Sequence, residues 1–158
     1  MFSIDGIENF TIEAMGEFTA LVLDDPRVRD NNLHPVSLTN NYAGALVLGE
    51  NQITWLAVDF SGNSSELVQR ITVVDTTAPE FPVIDSIEIE ARGIFTDVSQ
   101  DLAITAFDIV DGEVSAYIIS ESQLKSGQQS VIVQSSDAQG NTSIQEVFVN
   151  ILPTVTAK

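Results

Sequence analysis

Apolar and polar positions alternate along two stretches of this chain. Ile53, Trp55 and Ala57 occupy every second position, and the run stops at Asp59. Val131, Val133 and Ser135 do the same before Asp137. Beyond each stop a period of two resumes, with Leu67, Ile71 and Val73 in one case and Val147, Val149 and Ile151 in the other. Period-two runs rich in Val, Ile and Thr, bounded by Gly, Asn and Asp, predict strands joined by turns. No helical stripe of useful length is present, and residues 121–129 offer one turn at most. Closely spaced strands without helices predict antiparallel sandwiches.

The pattern occurs twice because the chain repeats itself. Ile12-Glu13-Ala14-Met15-Gly16-Glu17-Phe18-Thr19 returns 77 positions later as Ile89-Glu90-Ala91-Arg92-Gly93-Ile94-Phe95-Thr96. Asp59-Phe60-Ser61-Gly62-Asn63 returns 78 positions later as Asp137-Ala138-Gln139-Gly140-Asn141, so one residue is inserted between the two anchors. Asp30 with Asp108, and Gly49 with Gly127, share the offset of 78. The expected organisation is two tandem immunoglobulin-like antiparallel β-sandwich domains, residues 1–75 and 76–158. The joint, Asp75-Thr76-Thr77-Ala78-Pro79-Glu80, is biased to extended backbone by its proline and stiffened further by Pro82. It reads as a short, semi-rigid linker. Neither repeat has the Cys-Trp-Cys core of antibody domains, and Trp55 is the only tryptophan.

These residues carry a family resemblance. Pro26-Arg27-Val28-Arg29-Asp30-Asn31, Leu48-Gly49, Ile53 to Asn63 and Val73-Val74-Asp75-Thr76-Thr77-Ala78-Pro79 resemble a hyalin-repeat (HYR) domain, a family similar to the bacterial immunoglobulin-like repeats. The second repeat is a more diverged copy. It has Val133 in place of the tryptophan, and its Asp108-Ile109-Val110-Asp111-Gly112 is similar to the Asp-x-x-Asp-Gly element of bacterial Ig-like repeats. The resemblance implies an extracellular or cell-surface setting in a longer parent chain, as spacer or adhesive module, or as an appendage of a secreted enzyme.

Charge and composition exclude several partners. Twenty-three acidic residues against six basic ones give a formal net charge of -17. Nucleic acid and anionic membrane surfaces both require Lys and Arg. Hydrophobic residues make up 44% of the chain and charged ones 18%, which separates it from acidic disordered tails. With no cysteine, disulfides, thiolate metal sites and Cys nucleophiles are excluded. No apolar run approaches the roughly 18 residues of a membrane-spanning helix. Met1 to Asp5 shows neither a basic start nor an apolar signal core. That predicts either a protein that is not secreted or an internal piece carrying an added start Met.

The candidate chemistry lies in the aspartates. In an Ig-like sandwich the Asp137–Asn141 turn and the Asp108–Asp111 loop lie at one pole, the one the joint enters. Asp108, Asp111, Asp137 and Asn141 would then converge with Asp75 or Glu80. Calcium takes six to eight oxygens from carboxylates, amides and carbonyls. Clustered carboxylates repel one another unless a cation neutralises them. The same residue types are also good turn formers that bond their own backbone, and the sequence leaves both readings open. The first repeat has a thinner version, Asp30 and Asp59 with Asn31 and Asn32.

Other features point away from catalysis. His34 has no nucleophile pattern around it and reads as a loop residue. Glu88 and Glu90 share a strand face and read as a polar outward edge rather than a glycosidase pair. Trp55 faces inward with Ile53 and Ala57, whereas Leu56, Val58 and Phe60 form an opposite row, either a contact patch or a covered one. Asn9, Asn63 and Asn141 start glycan-acceptor tripeptides, which are common by chance. The expectation is a non-catalytic spacer or stalk, with calcium the candidate cofactor that would rigidify it. Its partners would be neighbouring repeats and a protein or glycan ligand, with no nucleic acid and no membrane insertion. The alternative is an accessory ligand- or carbohydrate-binding module of a secreted hydrolase.

Overall fold

A computed structural model describes residues 2–30 and 35–153. The chain divides into two compact units, Met1–Asp75 and Thr76–Lys158. No helix occurs among the described residues, and each unit is an immunoglobulin-like sandwich. The first holds β1 (Ser3–Asp5), β2 (Phe10–Glu13), β3 (Arg27–Arg29), β4 (Ser37–Asn40), β5 (Gly49–Val58) and β6 (Ser64–Val74). The second holds β7 (Ile87–Glu90), β8 (Thr96–Asp97), β9 (Thr105–Asp108), β10 (Gly112–Ile118), β11 (Gln123–Leu124), β12 (Gly127–Ser136) and β13 (Thr142–Leu152). The 121–129 stretch therefore contributes β11 and the start of β12.

In the first unit four strands run in the order β2-β6-β5-β4, completed by the β1–β3 pair. In the second, five strands run β7-β13-β12-β10-β9, completed by β11–β8. A long hairpin anchors each unit. The β5–β6 ladder runs from Gly49 opposite Val73 to Val58 opposite Ser64, and the β12–β13 ladder from Gly127 opposite Ile151 to Ser136 opposite Thr142. Their periods of two set these registers, because a one-residue slip would turn every apolar side chain to solvent.

One feature departs from the antiparallel expectation. β2 pairs parallel to β6, with Ile12 opposite Val73, and β7 pairs parallel to β13, with Ile89 opposite Ile151. Parallel neighbours need a long connection rather than a tight turn. Between these partners lie β3 to β5 in the first unit and β8 to β12 in the second, a connection long enough for a parallel closure.

The inward rows make the cores. In the second unit Val131, Val133, Val147, Val149 and Ile151 pack with Ile89, Ala91, Val98 and Leu124. In the first, Ile53, Trp55, Ala57, Ile71 and Val73 are buried. Trp55 is 1% exposed. Its indole N–H needs an acceptor inside, and Nε1 donates to Gln69 Oε1 at 3.1 Å. Gln69 Nε2 donates in turn to the Glu8 carbonyl at 3.0 Å. At the matching positions the second unit has Val133 and Val147, both buried, and an apolar pair needs no such partner.

The eight-residue anchor shared by the repeats is a structural clamp. Thr19 and Thr96, both buried, accept the Met15 and Arg92 N–H groups at Oγ1, at 3.1 and 3.0 Å. Each threonine's backbone then pairs with a leucine, Thr19 with Leu46 and Thr96 with Leu124. Ala14 and Ala91, also buried, donate their N–H to the Val74 and Leu152 carbonyls at 2.7 and 2.8 Å.

Candidate functional site

Each long hairpin closes in the same five-residue turn. Asp59 N donates to the Asn63 carbonyl at 2.9 Å, and Asp137 N to the Asn141 carbonyl at 3.0 Å. The Asn63 N–H returns to Asp59 Oδ1 at 2.8 Å, and its side-chain Nδ2 reaches Oδ2 at 2.9 Å. Asn141 repeats this on Asp137 at 2.8 and 2.7 Å. The reversal needs a left-handed residue, and Gly62 (φ 88°) and Gly140 (φ 90°) supply it. The Asp-x-x-Gly-Asn spelling is thus the turn's own chemistry. The Asn63 side-chain N–H holds the Asp59 carboxyl below its ordinary value. Backbone N–H groups of Asn63, Ser61 and Gly62 assist, and burial opposes them.

The second unit adds a loop beside its turn. β9 ends at Asp108 and β10 begins at Gly112. Asp108 Oδ1 accepts the N–H groups of Val110 and Asp111 at 2.8 and 2.9 Å. Asp111 Oδ2 reaches across to accept the Ala138 N–H at 2.7 Å, which ties the loop to the turn. Asp137 Oδ1 also accepts the Gln139 N–H at 2.9 Å. Carboxylate oxygens of Asp108 and Asp137 lie within 4.8 Å of one another.

Burial separates these side chains. Asp108 is 1% exposed and Asp137 7% exposed, while Asp111 lies open at the rim. Asp108 Oδ2 is buried with no hydrogen-bond partner. Glu80 is exposed, and its backbone is locked to Phe107 by reciprocal bonds of 2.8 Å, next to Asp108. Asp75 is buried and is the last residue of the first unit. The structure therefore brings Asp108, Asp111, Asp137 and Asn141 together in one unit. Asn141 joins through an amide N–H directed at Asp137. Sequence reasoning missed the special position of Asp108 Oδ2, because the burial of a single carboxylate oxygen leaves no mark in the residue spelling.

The remaining candidates separate cleanly. Asn31, Asn32 and His34 lie outside the described residues. Glu88 and Glu90 are exposed on β7, and Trp55 is a core residue. In the opposite row Leu56 and Val58 are half-buried, whereas Phe60 is 74% exposed. Asn63 and Asn141 direct at an aspartate the nitrogen that a glycan would need. A shallow depression of about 500 Å³ in the second unit is lined by Ser86, Gln128, Gln129, Ser130, Phe148 and Val149, a set with no acid, base or nucleophile dyad.

No protein-family model matches the chain. It is 32% identical over 111 residues to an uncharacterized 81.3 kDa protein of Acholeplasma phage L2, and spans 15% of that protein's length. Among solved structures it is similar to the EC1-2 fragment of human protocadherin-24, at 14% identity and a TM-score of 0.45, with 99% of either chain covered. It is also similar to the fibronectin(III)-like modules of Clostridium thermocellum CbhA, at 16% identity and a TM-score of 0.31, over 97% of this chain and 95% of that one. Neither likeness carries an argument about function.

Proposed function

We propose that this chain is a pair of non-catalytic structural repeats, serving as a spacer or stalk within a longer secreted or cell-surface protein. The observation that carries this reading is the reuse of one internal frame. The Asp-Asn turn, the threonine clamp and the parallel closing strand recur at matching positions in both units. Chains gain length by repeating a frame whose surface is free to vary. The HYR-like spelling of the turn and joint, and the far greater length of the phage relative, support the same reading. Such a module works mechanically, so its function is measurable as resistance to force. Stretching the chain from both ends should give two separate unfolding events. Each should release roughly 250 Å of extended chain, at about 3.3–3.6 Å per residue. A single merged event, or extension without a force peak, would reject the spacer role.

One observation favours the accessory-module alternative. Phe107, Tyr117 and Phe148 are exposed large side chains on the second unit's five-stranded sheet, and Tyr117 Oη accepts Gln134 Nε2 at 2.6 Å. Aromatic faces beside amides suit sugar rings. Binding to soluble polysaccharides that is lost in Tyr117→Ala would establish that alternative over the spacer.

A further inference from the structure

We propose that the loop and turn at one end of the second unit form a calcium site, with Asp108 and Asp137 as its inner carboxylates and Asp111 at its rim. The inference does not depend on the spacer role. It starts from Asp108. A buried carboxylate is normally satisfied at both oxygens, and an unmet acceptor keeps its full desolvation penalty. Oδ1 of Asp108 takes two backbone N–H groups, while Oδ2 is buried with none. A second carboxylate, Asp137, lies within 4.8 Å and is itself buried. Two like charges held this close in a low-dielectric setting disfavour one another.

No described protein cation answers them. Among the described residues no ion pair involves Asp108, Asp111 or Asp137. The second unit's two described bases are engaged elsewhere. Arg92 grips Asp101 with both terminal nitrogens, at 3.2 and 2.7 Å, and Lys125 lies over the Phe95 ring at 5.8 Å. The missing partner is a cation from solution.

The donors decide which cation. They are carboxylate oxygens, and the chain has no cysteine. Hard oxygen donors select calcium or magnesium over zinc and copper. Magnesium demands near-ideal octahedral geometry, whereas calcium accepts six to eight irregular ligands. The Asp111–Ala138 bond fixes the loop against the turn before any ion arrives. Loop and turn are therefore already set at a spacing an irregular calcium shell can bridge.

The test is calorimetric titration of calcium chloride into the chelator-treated full chain, paired with thermal melts. Calcium, magnesium and sodium are compared at equal ionic strength, because the charge of -17 responds to any salt. We expect one calcium bound per chain and a melting rise with calcium that the other two do not match. Asp108→Asn keeps an Oδ1 acceptor for Val110 and Asp111 but removes the charge. It should weaken calcium affinity at least tenfold, while the metal-free variant melts no lower than the metal-free parent. A purely structural Asp108 would instead lower the metal-free melt and leave affinity intact. Asp137→Asn provides a second reading should Asp108→Asn fail to fold. Asp59→Asn, in the other unit, should leave affinity unchanged. No binding heat at millimolar calcium, equal melting shifts with all three salts, or unchanged affinity in both second-unit variants overturns the site.

Discussion

The two units solve one structural problem with different materials at two places. In the core, the first unit buries Trp55 and must bring Gln69 and the Glu8 carbonyl inside to satisfy it. The second fills the matching positions with Val133 and Val147 and needs no internal polar chain. At the turn, both use the same Asp-Asn frame, but only the second braces it with a described neighbouring loop through Asp111. The frame is thus set by the Asp, Asn and Thr side chains that bond the backbone in both units, and variation collects where a side chain can change without disturbing those bonds or a ladder.

The largest test of that comparison is Trp55→Ala. It removes a buried aromatic and strands Gln69 Oε1, so the first unit should lose about 3–5 kcal/mol. Val133→Ala should cost the second unit about 2 kcal/mol, from two lost methyl groups and a small cavity. Two resolved calorimetric transitions, one shifted by each variant, would confirm separate cores. One transition shifted equally by both would erase the distinction. Next in size is the independence of the second unit. Residues 76–158 alone should give a β-type far-UV spectrum and a cooperative melt, which a disordered fragment would contradict.

Acid should sharpen the turn comparison. The Asp59 carboxyl is lowered from 3.8 in the folded chain, chiefly by the Asn63 side chain. A carboxyl lowered on folding contributes stability that is complete above the unfolded value. That contribution is lost as pH falls through the folded one. Trp55 is the only tryptophan and is buried in the first unit, so its fluorescence reports that unit alone. Stability read there should fall below about pH 4, and Asp59→Asn should flatten the fall. Asp97 is lowered too, chiefly by the Ser99 backbone N–H, but it belongs to the second unit. Asp97→Asn should therefore leave the tryptophan signal unmoved. The smallest expected effect is a modest rise in both melts with monovalent salt, through screening of the -17 charge.

Much of this fold is legible in the sequence because strands announce themselves by period. The rows Ile53-Trp55-Ala57 and Val131-Val133-Ser135 mark the hairpins, and Asp59 and Asp137 mark their turns. The parallel closure of β2 on β6 is not legible, since a short strand carries no sign of its partner's direction. Nor is the Thr19 and Thr96 clamp, although both residues sit inside the repeated anchor. Repetition shows that a residue matters to the frame, and only the hydroxyl's acceptor geometry shows why. At the candidate site the residue types are readable, whereas the unmet oxygen of Asp108 arises from tertiary burial, which no local pattern encodes.

β7 borders its sheet with Glu88 and Glu90 turned outward. An open strand edge is a template on which another chain can add itself, and charge along it is a common safeguard. Where many copies stand side by side, these two glutamates would keep neighbours from stitching together edge to edge. The crowd then remains a set of separate molecules rather than growing into a fibre.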